Sequence, residues 1–263
     1  MDSSPEDVPI VDAHHHLWPA RPAHRPPVGD KHRFLFGERI DTILKAPYLL
    51  EDLRADMRGH NVVATIFVEC HAFYDRDGPA HLRSVGETRT VAQLAAADPG
   101  VVLGIVCGID LCLPALEFEE ALNAHVDAGG ALLRGVRCQL AWDEDPRLAW
   151  TAGRADTICD PRFVSAANLL ATRQLVLDVW VYHTQLRYVS RLAADVPELT
   201  VCALHSQRPA WPSLPPPSFS LPLSVTPSPS LSLAPSLPRS PSLPPSLPPW
   251  IDPTRLGLAW CRR

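Results

Sequence analysis

Near its amino terminus the chain reads Ile10-Val11-Asp12-Ala13-His14-His15-His16-Leu17-Trp18. In an extended strand successive side chains alternate faces, so His14 and His16 share one face and His15 takes the other. Two imidazoles about 7 Å apart on one strand face can hold a divalent metal, polarise a substrate carbonyl or share a proton. Asp12 falls on that same face, where its carboxylate can accept an N–H from either ring. With an apolar run before it and Leu17-Trp18 after it, the cluster reads as a strand ending at the mouth of a pocket.

Other apolar runs end in the same way. Glu69 and His71 close the second, Asp110 the third, Arg137 the fourth, Asp178 and His183 the fifth, and His205 the sixth. Singly, Glu69, His71 and Asp110 read as caps or loop contacts and His205 as a plain strand-end residue. Together they predict a site, because ligands of parallel α/β proteins bind at the carboxyl edge of the sheet.

The elements that would position these residues are legible. Six apolar or β-branched runs lie at 8–13, 62–69, 101–110, 131–140, 175–182 and 199–204. Most are nearly continuous in apolar residues, as parallel strands covered on both faces are. Segments of helical period alternate with them at 49–60, 84–97, 116–128, 160–173 and 184–194. Ser84 and Glu87 form a Ser-x-x-Glu capping box. Asp160 and Pro161 read as a helix N-cap and first position, and Gly129-Gly130 reads as a stop. Strand–helix alternation predicts right-handed βαβ units and an α/β fold. The insert at 19–47, rich in Pro, Arg and His, reads as a loop over the first strand's carboxyl end.

Composition divides the chain into an acidic body at 1–205 and a Pro/Ser/Leu-rich segment at 206–263, in which Asp252 is the sole acid. Proline at that density removes backbone donors and forbids helix and central strand, so the second segment reads as disordered. Net charge is −5 and no Lys/Arg run occurs, which argues against nucleic acid or an anionic membrane as partner. The seven cysteines form no Cys-x-x-Cys and no zinc spacing, which fits buried thiols in a reducing compartment. No stretch approaches the ~18 apolar residues of a membrane span. The expectation is a soluble cytoplasmic protein.

Several segments resemble the amidohydrolase-related family, in the branch holding lactonases of sugar acids and of pyrone dicarboxylate. They are 11–18; Phe67-Val68-Glu69-Cys70-His71-Ala72-Phe73-Tyr74; Val85-Gly86-Glu87-Thr88; Arg134-Gly135-Val136-Arg137 with Ala141-Trp142-Asp143; and 177–186, around His183-Thr184-Gln185-Leu186. The resemblance implies a (β/α)8 TIM-type barrel, here incomplete with about six βα units. It implies that His14 and His16 bind a metal or orient a scissile carbonyl, and that His183 and His205 line a catalytic site with them. It also implies that Arg137 clamps a substrate carboxylate, with Glu69 and Trp18 as further substrate contacts. The family activates water with an aspartate at the end of an eighth strand, and no such residue is identified here. The implied cofactor is a divalent metal, zinc or manganese, although lactonases of this branch also work without one. The implied substrate is a small carboxylated lactone, or another ester or amide. Two alternatives stand beside it: a metal-dependent non-oxidative decarboxylase of the same superfamily, and a non-catalytic Pro-rich interaction protein.

Overall fold

The structure is a computed structural model describing residues 8–20, 39–145, 148 and 152–206, with backbone alone for 204–206. Six strands form one parallel sheet in sequence order. They are β1 (Ile10–His15), β2 (Val62–Val68), β3 (Val102–Gly108), β4 (Leu133–Gln139), β5 (Val176–Tyr182) and β6 (Val201–Ser206). The helices are α1 (Ile40–Ile43), α2 (Leu50–Asp56), α3 (Val85–Ala97), α4 (Ala115–Gly129), α5 (Pro161–Thr172) and α6 (Leu186–Asp195). The sheet curls as a half-barrel with β1 and β6 at its edges. The disordered segment expected at 206–263 lies, beyond Ser206, outside the described residues, as does most of the insert at 19–47.

Burial explains the alternation of elements. On β5, Leu177, Val179 and Val181 pack with Val136 and Cys138 of β4 against Leu122 of α4, Phe163 and Leu170 of α5 and Leu192 of α6. A second cluster joins Leu17, Phe67 and Ile105 to Leu53 of α2 and Val91 of α3. Both clusters lie on the face of the sheet that the helices cover, and the residues on the concave face are free to be polar. One ladder row runs across that sheet as Gly108, Arg137, Asp178 and Cys202.

Local signals were partly overruled by tertiary partners. Asp160 caps α5 as expected, its carboxylate accepting from the Arg162 amide at 2.9 Å with Pro161 at the first position. The capping box at Ser84 and Glu87 does not form: Ser84 makes no side-chain cap. Its hydroxyl instead lies 3.0 Å from His125 Nε2, and Thr88 holds the other ring nitrogen at 2.8 Å. Glu87 turns away to accept from the Ala72 amide at 2.7 Å, tying α3 to the loop after β2. Asp178 is the third residue of β5 rather than a residue of its carboxyl end.

Candidate active site

The end of β2 organises the site. The Val68 carbonyl lies 2.8 Å from His16 Nδ1. The next carbonyl, of Glu69, accepts from Arg137 at 3.2 Å. The Glu69 carboxylate accepts from Gln139 Nε2 at 2.6 Å through Oε1, and its Oε2 lies 3.1 Å from His71 Nε2. Side chains from β4 and from the segments that follow β1 and β2 thus converge on two residues.

His14 and His16 meet as the spacing predicted, but more closely. Their Nε2 atoms are 3.3 Å apart and the rings stand edge-to-face at 4.9 Å. The reason is that β1 shifts register after Asp12 and ends at His15, so His16 is not held at strand pitch. Asp12 serves neither ring; its carboxylate accepts the His14 backbone amide at 3.2 Å. Bonding between His16 Nδ1 and a carbonyl makes that nitrogen the donor, which leaves Nε2 as a lone pair in the neutral ring. Burial lowers His14 to about 4, helped by the neighbouring His16 and Arg137, and burial likewise lowers His16. Both rings are neutral at physiological pH, the state in which imidazole binds a metal. His15 faces the helix layer, packed on Phe67 and 3.1 Å from the Thr65 hydroxyl.

Arg137 sits 6% exposed, with Nε 3.4 Å from Asp178 Oδ1. Burial raises Asp178 to about 6 against the pull of Arg137. Burial also pushes Glu69 upward, but His71, Arg137 and Gln139 outweigh it and hold the carboxyl below its usual range. His71 is raised, chiefly by Glu69. A cavity of about 540 Å³ opens over this group, lined among others by Glu69, His71, Tyr74, Asp110, Arg137 and Gln139. Its floor depends on Gly108, where a Cβ would lie 2.8 Å from the Tyr74 hydroxyl and 3.1 Å from Glu69 Cγ. A groove of about 600 Å³ runs along the unpaired edge of β1 and is lined among others by Asp12, His14, His15 and His60; His14 lines this groove rather than the 540 Å³ cavity, and His16 lines neither.

Of the remaining expected residues, Asp110 lines the 540 Å³ cavity, Trp18 and His183 line neither cavity, and the His205 side chain goes undescribed. Trp18 stacks on Tyr48 at 4.9 Å and donates to the Ala46 carbonyl, so its indole braces the loop before α2 and lines neither cavity. His183 is exposed at the start of a 3-10 turn, Asp110 accepts from the Cys112 amide, and the His205 backbone pairs with Val181. The His205 side chain is outside the described atoms. Two residues not predicted for the site matter to it. Gln139 stands two positions after Arg137 on the same strand face, a period-two signal that was available. Gln185 accepts from the Trp142 and Tyr182 amides and donates to the Leu140 and Ala155 carbonyls, pinning the β4–α5 loop beside the site.

Residues 11–228 match the profile of a family described as amidohydrolase. The chain belongs to that family. An uncharacterized protein of Sinorhizobium fredii is 27% identical over 201 residues, covering 76% of this chain and 63% of that relative. A crystal structure of an amidohydrolase from Burkholderia multivorans with bound HEPES superposes with a TM-score of 0.50 at 26% identity, covering 73% of this chain and 55% of that one. A second structure of a Burkholderia multivorans amidohydrolase, with bound zinc, gives a TM-score of 0.44 at 22% identity over 73% of this chain and 68% of that one. The amidohydrolase-family chain thus spans less than two thirds of the length of the first two of these relatives.

Proposed function

We propose that this chain hydrolyses a lactone, or a related ester or amide, in a small carboxylated substrate. The observation that supports this most is the pair of half-buried, neutral imidazoles converging at 3.3 Å beside Arg137. Their donor set fits the two-histidine part of a zinc or manganese site. Among the described residues no third His, Cys, Asp or Glu completes a group of metal ligands. His14 and His16 would hold the metal, and bound there it would act as a Lewis acid on a carbonyl oxygen.

The chain's own residues do the rest. His16 is fixed in one tautomer by the Val68 carbonyl, which orients its ring toward His14. Arg137 brings a fixed positive charge to the cavity wall, where a substrate carboxylate gains a charge-assisted contact. Ala152, Gly153 and Thr157 of the β4–α5 loop border the cavity, and Gln185 holds that loop through the Leu140 and Ala155 carbonyls.

The test is an assay of the full chain against sugar-acid lactones and dicarboxylate lactones, with metal content measured before and after chelation. Turnover of carboxylated over neutral lactones, falling at least about 100-fold in His14→Asn and His16→Asn, is the expected result. Carbon dioxide release with stoichiometric zinc or manganese, and no lactone turnover, would replace the reading with a decarboxylase.

A further inference from the structure

We propose that His71 is the proton-transfer residue of this site, held in place by Glu69. The inference rests on the hydrolase reading and adds to it a residue that reading does not use. Three features of geometry carry it.

First, His71 has a backbone φ of +62°. Side chains bearing a Cβ rarely adopt that region, and such conformations persist where the surroundings impose them. Here the turn swings the ring back over the strand end it has just left, onto the carboxylate two residues earlier. Second, the carboxylate it meets is built in rather than incidental. Glu69 is 1% exposed, Oε1 is taken by Gln139 at 2.6 Å, and Oε2 has no aligned hydrogen bond and stands 3.1 Å from the imidazole. A buried acid whose free oxygen faces one ring nitrogen orients that ring and stabilises its protonated form, as the third member of a nucleophile–base–acid relay does. Third, the ring is accessible. Its side chain is half exposed on the wall of the 540 Å³ cavity, tilted 5.1 Å from the Tyr74 ring. Nε2 is turned to Glu69, with the Gln139 amide nitrogen 3.5 Å from it, so Nδ1 is the ring nitrogen left to take a proton from a ligand.

The step balances without any further reactant. Neutral His71 takes one proton from water as the water oxygen bonds to the lactone carbonyl carbon. The imidazolium then returns a proton to the ring oxygen as the carbon–oxygen bond breaks, giving the hydroxy acid. Glu69 is a positioning residue and keeps its charge throughout. The charged groups acting on His71 are Glu69 and Glu87, which raise its proton affinity, and Arg137, which lowers it.

The experiment compares the full chain with His71→Asn and Glu69→Gln on the same lactone panel. Asparagine is chosen because it tolerates the left-handed backbone, and thermal melts of each variant establish folding. His71→Asn is expected to lower kcat by about 100- to 10,000-fold with KM little changed. The acid limb of kcat against pH is expected to fall toward the ordinary histidine range in Glu69→Gln. Turnover within threefold of the parent in folded His71→Asn overturns the role of His71 and leaves the hydrolase reading standing. Absence of turnover by the parent chain across the panel defeats that reading, and this inference with it.

Discussion

Arg137 and Asp178 are ladder partners on adjacent parallel strands, and their charged atoms stand 3.4 Å apart with both side chains buried. Burial nonetheless wins over attraction at Asp178, which is raised to about 6. The two halves of the pair are therefore unequal. Asp178→Asn removes a charge that already costs free energy, and unfolding in urea should shift by no more than about 1 kcal/mol. Arg137→Met leaves the buried Asp178 without its cation and should cost about 3–5 kcal/mol. Equal losses in the two variants would contradict this account.

Glu87 gives a pH-linked prediction. Burial raises it from 4.5 to about 7, against the hydrogen bonds from Ala72 and Cys70. Between those values the folded chain holds one more proton than the unfolded one. Its contribution is complete below pH 4.5 and is lost as pH rises through 7. Glu87→Gln should thus gain on the parent between pH 5 and pH 8, by up to about 3 kcal/mol. Chemical melts at the two pH values measure the gain.

His125 works in the opposite direction. It is fully buried between Ser84 and Thr88, and burial lowers it from 6.5 to about 4. The unfolded chain binds the extra proton in this case. Stability from this group is full above pH 6.5 and is withdrawn as pH falls toward 4, by up to about 3 kcal/mol. His125→Gln should flatten the dependence of melting temperature on pH between 7 and 5. A slope as steep as the parent's would count against it.

Gln185 holds four backbone groups by itself. Gln185→Leu keeps the volume and strands two amides and two carbonyls, of which those of Tyr182 and Leu140 are buried. A loss above about 3 kcal/mol is expected, since each orphaned group costs about 1–3 kcal/mol. Proteolysis at 142–155 should also become faster, because the loop loses its anchor. Unchanged cleavage there would show that other contacts hold it.

The same residues mark how far the sequence could be read. Strand and helix positions were legible because burial on two faces writes continuous apolar runs into β3 and β5. Asp160-Pro161 was legible because the cap is made within its own turn. Ser84 and Glu87 carry the same kind of local signature and did not follow it. Their partners, His125 and Ala72, come from other elements, and no pattern within four residues encodes them. His14 and His16 were found by spacing, yet their separation depended on a register shift that spacing does not reveal. Trp18 is expected as a substrate contact from the resemblance alone, and its stacking on Tyr48, thirty residues on, is a partner no local pattern encodes. The site at the end of β2 was half visible: Glu69, His71 and Arg137 stood out by type, and Gln139 did not.

Gly108 sets the floor of the cavity by what it omits, since Glu69 and Tyr74 occupy the space a side chain would need. The wall is different in kind. Ala80, Leu113 and Ala152 border the same cavity with apolar side chains that make no hydrogen bond to the carboxylate. Variation in what such a protein accepts is therefore channelled. A lineage can drift in ligand size along the rim, one substitution at a time, while the residue under Glu69 stays at its minimum and cannot wander without disturbing the acid above it.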